Sequence, residues 1–121
     1  MAPLFVPGPV DVDSEVLKAQ TQPMLPHRSP EFEETFHRAE NNSRQLFGTQ
    51  KRVFLCASSG TGLQEAAVRN FARSSVLSCS NGAFGDRWYA VAQTNGKEVD
   101  KLEFTWGQPV TPEAVSQALR Q

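Results

Sequence analysis

The apolar positions of residues 53–121 recur as short runs, each followed by a small polar loop and a longer amphipathic segment. The runs at 53–57, 75–79 and 98–104 have the length of strands, and the segments that follow them have the length of helices. Three successive β-loop-α units imply right-handed crossovers, so the pattern predicts an α/β fold with a parallel sheet. The loops after the three strands would share one rim, which is where open α/β sheets bind ligands.

Residues 1–50 follow a different pattern and form a separate predicted region of arm and helices. Pro7-Gly8-Pro9 excludes a helix or a central strand and predicts an extended arm over residues 1–9. Asp13 or Ser14 can cap a short helix that ends near residue 19. Ser29, followed by proline and glutamate, predicts the start of an amphipathic helix that Gly48 closes.

The stretch from Val53 to Ala67 is predicted to be a buried strand, a small polar loop and a helix. Thr61 is the expected N-cap, with Gln64 at the spacing of a capping box. Ser59, Gly60 and Thr61 would then lie at the positive end of a helix, beside backbone N–H groups that lack acceptors. This arrangement suits a phosphate group.

The next loop, Asn81 to Gly85, places the aromatic ring of Phe84 between two glycines near the expected phosphate site. A planar, phosphorylated ligand would use both features, with a stacking interaction worth about 1 kcal/mol. The P-loop pattern is absent, and Glu65 replaces the third glycine of a dinucleotide fingerprint. The plainer alternatives stay open: Ser59 and Thr61 as helix caps only, and Phe84 as a core residue.

Composition narrows the possible functions further. The 121 residues are 39% hydrophobic with a net charge of −1, which suits one modest core and gives no basic excess for nucleic acid. No apolar run has the length of a membrane span. Cys56 and Cys79 are expected to be small buried apolar residues of a protein in the reducing cytoplasm. Neither His27 nor His37 lies at a metal-binding spacing from either cysteine.

Six motifs, taken together and in order, resemble those of the class V aminotransferases, and in particular the alanine–glyoxylate and serine–pyruvate aminotransferase group. These motifs are Pro7-Gly8-Pro9-Val10, His27-Arg28-Ser29-Pro30-Glu31-Phe32, Leu46-Phe47-Gly48-Thr49, Ser59-Gly60-Thr61-Gly62 with Glu65-Ala66-Ala67, Asn81-Gly82-Ala83-Phe84-Gly85-Asp86-Arg87-Trp88, and Trp106-Gly107. The resemblance implies the aspartate aminotransferase fold, with residues 51–121 as the first, incomplete part of the large domain that binds pyridoxal 5'-phosphate.

The resemblance also implies roles for individual residues. Ser59, Gly60 and Thr61 would hold the cofactor phosphate, and Phe84 would stack on the pyridine ring. Gly8, His27 and Arg28 would contact the substrate, the last two from the other subunit of a homodimer. Arg28 suits the substrate carboxylate best, since a guanidinium group binds a carboxylate bidentately. Arg28 as a plain surface charge is the open alternative. The implied substrates are a small amino acid, alanine or serine, and a 2-oxo acid, glyoxylate or pyruvate.

The implied chemistry needs a lysine that forms a Schiff base and an acidic partner for the pyridine nitrogen. None of the four lysines, Lys18, Lys51, Lys97 and Lys101, lies in a segment that resembles the lysine segment of the family. The chain is therefore expected to be the N-terminal portion of such an enzyme, inactive alone and dependent on a partner that carries the remainder. The alternative from another class is a non-catalytic module that binds a phosphorylated ligand or another protein.

Overall fold

The computed structural model describes residues 3–120. In chain order its elements are α1 (Ser14–Ala19), α2 (Pro30–Leu46), α3 (Gly60–Phe71), β1 (Ser75–Ser80), α4 (Ala83–Thr94), β2 (Glu98–Glu103) and α5 (Pro112–Ala118). Tertiary contacts divide the chain into two compact units, a first unit that ends at Leu55 and a second unit that begins at Cys56. In residues 3–120, no helix is both long and apolar enough to cross a membrane.

Local capping signals fix the two helices of the first unit. Asp13 caps α1 by accepting a hydrogen bond from the N–H of Glu15 at 2.8 Å. Ser29 caps α2 through its side chain, and Pro30 occupies the first turn, where its missing N–H costs nothing. Gly48, with a φ of 58°, ends α2 in the left-handed conformation that glycine adopts without strain. The predicted boundaries of both helices are confirmed.

The segment before α1 contains neither helix nor strand among its described residues, but bends at residues 6–9 interrupt the predicted extended conformation. The N–H of Leu4 donates a hydrogen bond to Asp11 Oδ2 at 2.9 Å, so the segment turns back on itself. The carboxylate satisfies a backbone donor that an extended arm would leave to water. The first two residues of the predicted arm lie outside the described part of the chain.

We expect Ser29→Ala to destabilise the start of α2 by about 1 kcal/mol, because it removes the acceptor of the Phe32 N–H at 3.2 Å. Amide exchange of Phe32, followed by NMR or mass spectrometry, should accelerate about fivefold. Ser43→Ala is the matched control, since Ser43 lies within α2 and donates to the carbonyl of Ala39. Equal exchange of Phe32 in both variants would contradict the capping role.

The second unit is built on two parallel strands joined by a helix. β1 pairs with β2 in a register that runs from Ser75 opposite Glu98 to Ser80 opposite Glu103. α4 connects the strands and packs against both, and α3 packs against α4. The predicted α/β class with a parallel sheet is confirmed, as are the helices expected after β1 and β2.

The strand predicted at Val53–Ala57 is wrong, because these residues join no sheet within the described part of the chain. Their side chains also lack the expected burial, and Phe54 is largely exposed. An apolar run becomes a strand only where neighbouring strands accept its N–H and C=O groups. The described residues provide no such neighbours for this run, so its composition alone could not produce the strand.

The apolar core of the described residues is small. Val68 on α3 and Ala92 on α4 are the buried hydrophobic residues, while Ser78 and Ser80 on β1 are buried polar residues. Neither cysteine is fully buried: Cys56 is exposed and Cys79 is half-buried. The expectation that both would be buried is therefore wrong, because burial of Cys56 depended on the strand that does not form.

Candidate functional site

The start of α3 forms the centre of the candidate site. Ser59, not Thr61, is the N-cap: its backbone is extended, with φ −74° and ψ 160°, and its Oγ accepts from the N–H of Gly62 at 3.1 Å. The cap therefore lies two residues before the predicted one, and Thr61 lies inside the first turn of the helix. Both residues have side chains that can cap, and the backbone conformation at Ser59 decides between them.

The backbone N–H groups of Gly60 and Thr61 lie in the first helical turn, where no intrahelical acceptor exists. A Cβ placed on Gly60 would meet nothing within 4 Å, so the space beside this turn is open. The helix dipole adds a partial positive charge at the same place. This end of α3 can therefore accept an anion such as a phosphate.

Arg87 adds a formal positive charge to this end of α3. Its Nη1 donates to Thr61 Oγ1 at 3.2 Å, which connects the first turn of α3 to α4. Both residues line an open groove of about 540 Å³ between the two helices. No pattern in the sequence predicts a role for Arg87, although it belongs to the Gly85-Asp86-Arg87-Trp88 motif. Only the packing of α4 on α3 reveals the contact with Thr61.

Phe84 is the second residue of α4, and its side chain is 64% exposed. A core role for Phe84 within the described residues is therefore excluded. Asn81, in the same turn, donates from Nδ2 to the carbonyl of Gln108 at 2.9 Å. This bond joins the loop after β1 to the loop after β2, so these two loops share the predicted rim.

A charged cluster fixes the start of α4 to the sheet. Asp86 Oδ1 accepts from Ser80 Oγ at 2.7 Å and lies 2.9 Å from Lys101 Nζ on β2. Hydrogen bonds from Lys101 and Ser80 hold the pKa of the Asp86 carboxyl below its usual value. Hydrogen bonds to Asp86 and Glu103 raise the pKa of the Lys101 ammonium group. No sequence signal indicated this cluster, because its members come from three separate elements.

The residues expected to contact substrate lie in the first unit. His27 and Arg28 are exposed and line a groove of about 400 Å³ beside the start of α2, together with Phe32 and Phe36. Gly8 is exposed in the segment before α1, with open space around it. The structure thus brings His27 and Arg28 together in this unit, while the phosphate and ring residues belong to the second unit.

Comparison with known proteins gives a consistent set of relatives. The chain is 38% identical to an L-aspartate–glyoxylate aminotransferase of Paracoccus denitrificans over 97% of its own length and 30% of that protein. An aspartate aminotransferase of subgroup IV from Thermus thermophilus matches 91% of the chain, with 34% identity and a TM-score of 0.86. An alanine–glyoxylate aminotransferase from Nostoc sp. matches 99% of the chain, with 25% identity and a TM-score of 0.86. No family model matches the sequence.

The fold and the sequence both match part of an aminotransferase fold. Within that class, the resemblance to the class V aminotransferases is confirmed. The chain spans about 30% of the length of the curated relatives it matches. It covers 32% and 34% of the two solved structures.

Proposed function

We propose that the chain is part of a pyridoxal-phosphate-dependent transaminase. The reaction moves an amino group between a small amino acid, such as alanine or serine, and a 2-oxo acid, glyoxylate or pyruvate. The names of two relatives, an aspartate–glyoxylate and an alanine–glyoxylate aminotransferase, both support glyoxylate as the 2-oxo acid. The second name also supports alanine as the amino donor. Residues 51–121 form the first part of the large cofactor domain, and the complete enzyme is a cytoplasmic homodimer.

The first turn of α3 is the observation that carries the proposal. Its open space, its two free N–H groups and the nearby guanidinium of Arg87 fit a phosphate dianion. Ser59, Gly60 and Thr61 bind that phosphate, and the exposed ring of Phe84 stacks on the pyridine. When bound, the cofactor supplies an electron sink for bonds at the α-carbon of the substrate.

On the substrate side, Arg28 binds the carboxylate of the amino acid through its planar guanidinium group. His27 lies beside it, and both act in the site of the other subunit of the dimer. Gly8 leaves room for the carboxylate, because a side chain there would occupy the open space around it. These three roles rest on the resemblance and on the shared exposure of the residues.

We assign the covalent attachment of the cofactor to none of the four lysines, because none lies in a segment that resembles the lysine segment of the family. No residue of the chain is proposed as the acidic partner of the pyridine nitrogen. The 121-residue chain alone is therefore inactive, and a partner chain that carries the remainder of the enzyme completes the site.

Charge at position 59 provides the test of phosphate binding. Ser59→Asp keeps a good N-cap but places a carboxylate beside the phosphate, whereas Ser59→Asn keeps the cap without charge. We expect Ser59→Asp to weaken binding of pyridoxamine 5'-phosphate at least tenfold, and Ser59→Asn to change it about threefold or less. Fluorescence titration measures the affinity, and this ligand has no aldehyde to react with surface lysines. Equal affinities in the two variants would contradict the proposed cradle.

A second experiment separates the transaminase from a non-catalytic module. The chain is incubated with pyridoxal 5'-phosphate, reduced with borohydride and analysed by mass spectrometry. A stoichiometric adduct on one lysine together with transaminase activity would contradict the proposed inactivity of the chain alone. Tight binding without activity, even when the remainder of the enzyme is supplied, would instead favour a module that binds phosphorylated ligands.

A further inference from the structure

The carboxylate of Asp86 joins three elements of the second unit at one point. Ser80, at the end of β1, is 1% exposed and donates from Oγ to Asp86 Oδ1 at 2.7 Å. Lys101 reaches the same oxygen atom from β2, at 2.9 Å from Nζ. Asp86 itself belongs to the first turns of α4. These contacts tie the start of α4 to both strands.

The residues enclosed between Ser80 and Asp86 form the turn that carries Phe84. The N–H of Asp86 donates to the carbonyl of Gly82 at 3.0 Å, which closes the first helical turn. Gly85 lies so near β1 that a Cβ on it would come within 2.7 Å of Ser80 Cα. The backbone of this turn is therefore held on both sides, although the ring of Phe84 is exposed.

Lys101 is itself held in place by more than Asp86. Its Nζ lies 3.1 Å from Glu103 Oε1 and 5.4 Å from the centroid of the Tyr89 ring on α4. An ammonium group with a carboxylate on each side and an aromatic face nearby has a preferred position. Lys101 can thus orient the Asp86 carboxylate toward Ser80, a role separate from Schiff-base chemistry.

We infer that Lys101 and Asp86 are positioning residues for Phe84. The ammonium group of Lys101 orients the Asp86 carboxylate, and that carboxylate holds the turn through Ser80. The ring of Phe84 is then presented at one angle for stacking on the planar part of a phosphorylated ligand. The identity of the ligand rests on the proposed function, whereas the fixed turn rests on the contacts alone.

The first test needs no ligand and uses amide exchange of residues 82–87 in the full 121-residue chain. Lys101→Met replaces the ammonium group with an apolar side chain and should accelerate exchange in this segment about threefold to fivefold. Lys97→Met is the matched control, because it also removes one lysine but leaves Asp86 paired. Lys101→Arg should restore most of the protection, since it retains the positive charge.

The second test compares a ligand that has a ring with one that has none. Lys101→Met and Asp86→Asn should weaken binding of pyridoxamine 5'-phosphate about fivefold, the share that ring stacking contributes. Binding of inorganic phosphate should stay within twofold in both variants. A general loss of structure would weaken both ligands equally, so the difference between them reports on the position of the ring.

The outcomes separate this inference from the proposed function. Unchanged exchange in Lys101→Met, or equal weakening of both ligands, overturns the positioning role even if the wild-type chain binds pyridoxamine 5'-phosphate. Faster exchange in Lys101→Met, with no binding of that ligand by the wild-type chain, overturns the proposed function and leaves the fixed turn established. Faster exchange together with selective loss of the ring ligand supports both.

Discussion

The isolated 121-residue chain is expected to unfold gradually on heating and to self-associate as its concentration rises. Among the described residues, the buried apolar side chains are those of Val68 and Ala92, far fewer than a core of this chain length needs. Large apolar side chains lie exposed instead, including Phe71 at 86% and Leu46 at 82%. Such surfaces promote association, and a small core gives little cooperativity.

Circular dichroism during heating, dye binding to apolar surface and size-exclusion chromatography at several concentrations measure this behaviour. A broad transition, strong dye binding and concentration-dependent elution are the expected results. Addition of a protein that supplies the remainder of a class V aminotransferase should sharpen the transition and displace the dye. A sharp transition of a monomer without that addition would show that the chain needs no partner to fold.

Two substitutions on α3 separate exposed from buried apolar surface. Phe71→Ser should reduce dye binding and association without loss of helix, because its side chain lies mainly in water. Val68→Ala should cost about 2 kcal/mol, because the valine is 5% exposed and its methyl groups leave a cavity when removed. Comparable loss of helix in both variants would mean that Phe71 is packed in solution.

The elements that the sequence predicted correctly are those specified by local signals. Ser29 before proline places the start of α2 at the position found in the structure. The helix from residue 83 to 94 and the two parallel strands also follow from patterns confined to a few residues. At the start of α3 the local signal was ambiguous, because Ser59 and Thr61 are both good caps.

The errors and omissions concern interactions between residues far apart in the sequence. The run from Val53 to Ala57 has a strand composition, but a strand also needs partners, and the described residues supply none. The contacts of Arg87 with Thr61 and of Lys101 with Asp86 depend on how α4 packs. Periodicity specifies a helix and its apolar face, whereas the partner of each charged side chain is decided by tertiary structure.

Gly85→Ala, in the first turn of α4, is expected to disrupt the second unit more than Gly82→Ala at the N-cap of the same helix. The added Cβ would lie 2.7 Å from Ser80 Cα and 3.0 Å from Ser80 Cβ. Backbone cannot move aside as a flexible side chain can, so α4 must shift away from β1. Overpacking of this kind typically costs about 1–3 kcal/mol.

Gly82→Ala and Gly60→Ala are the matched controls, since a Cβ at either position meets nothing within 4 Å. Exchange of the Phe104 amide, which donates to the carbonyl of Ser80 at 2.7 Å, reports on the end of β1. We expect Gly85→Ala to accelerate that exchange about tenfold to a hundredfold, and each control to change it less than threefold. Because the shift of α4 also separates Asp86 from Ser80, Gly85→Ala should weaken pyridoxamine 5'-phosphate binding as Lys101→Met does. Exchange of Phe104 that matched the controls would mean that α4 and β1 are not in close contact at Gly85.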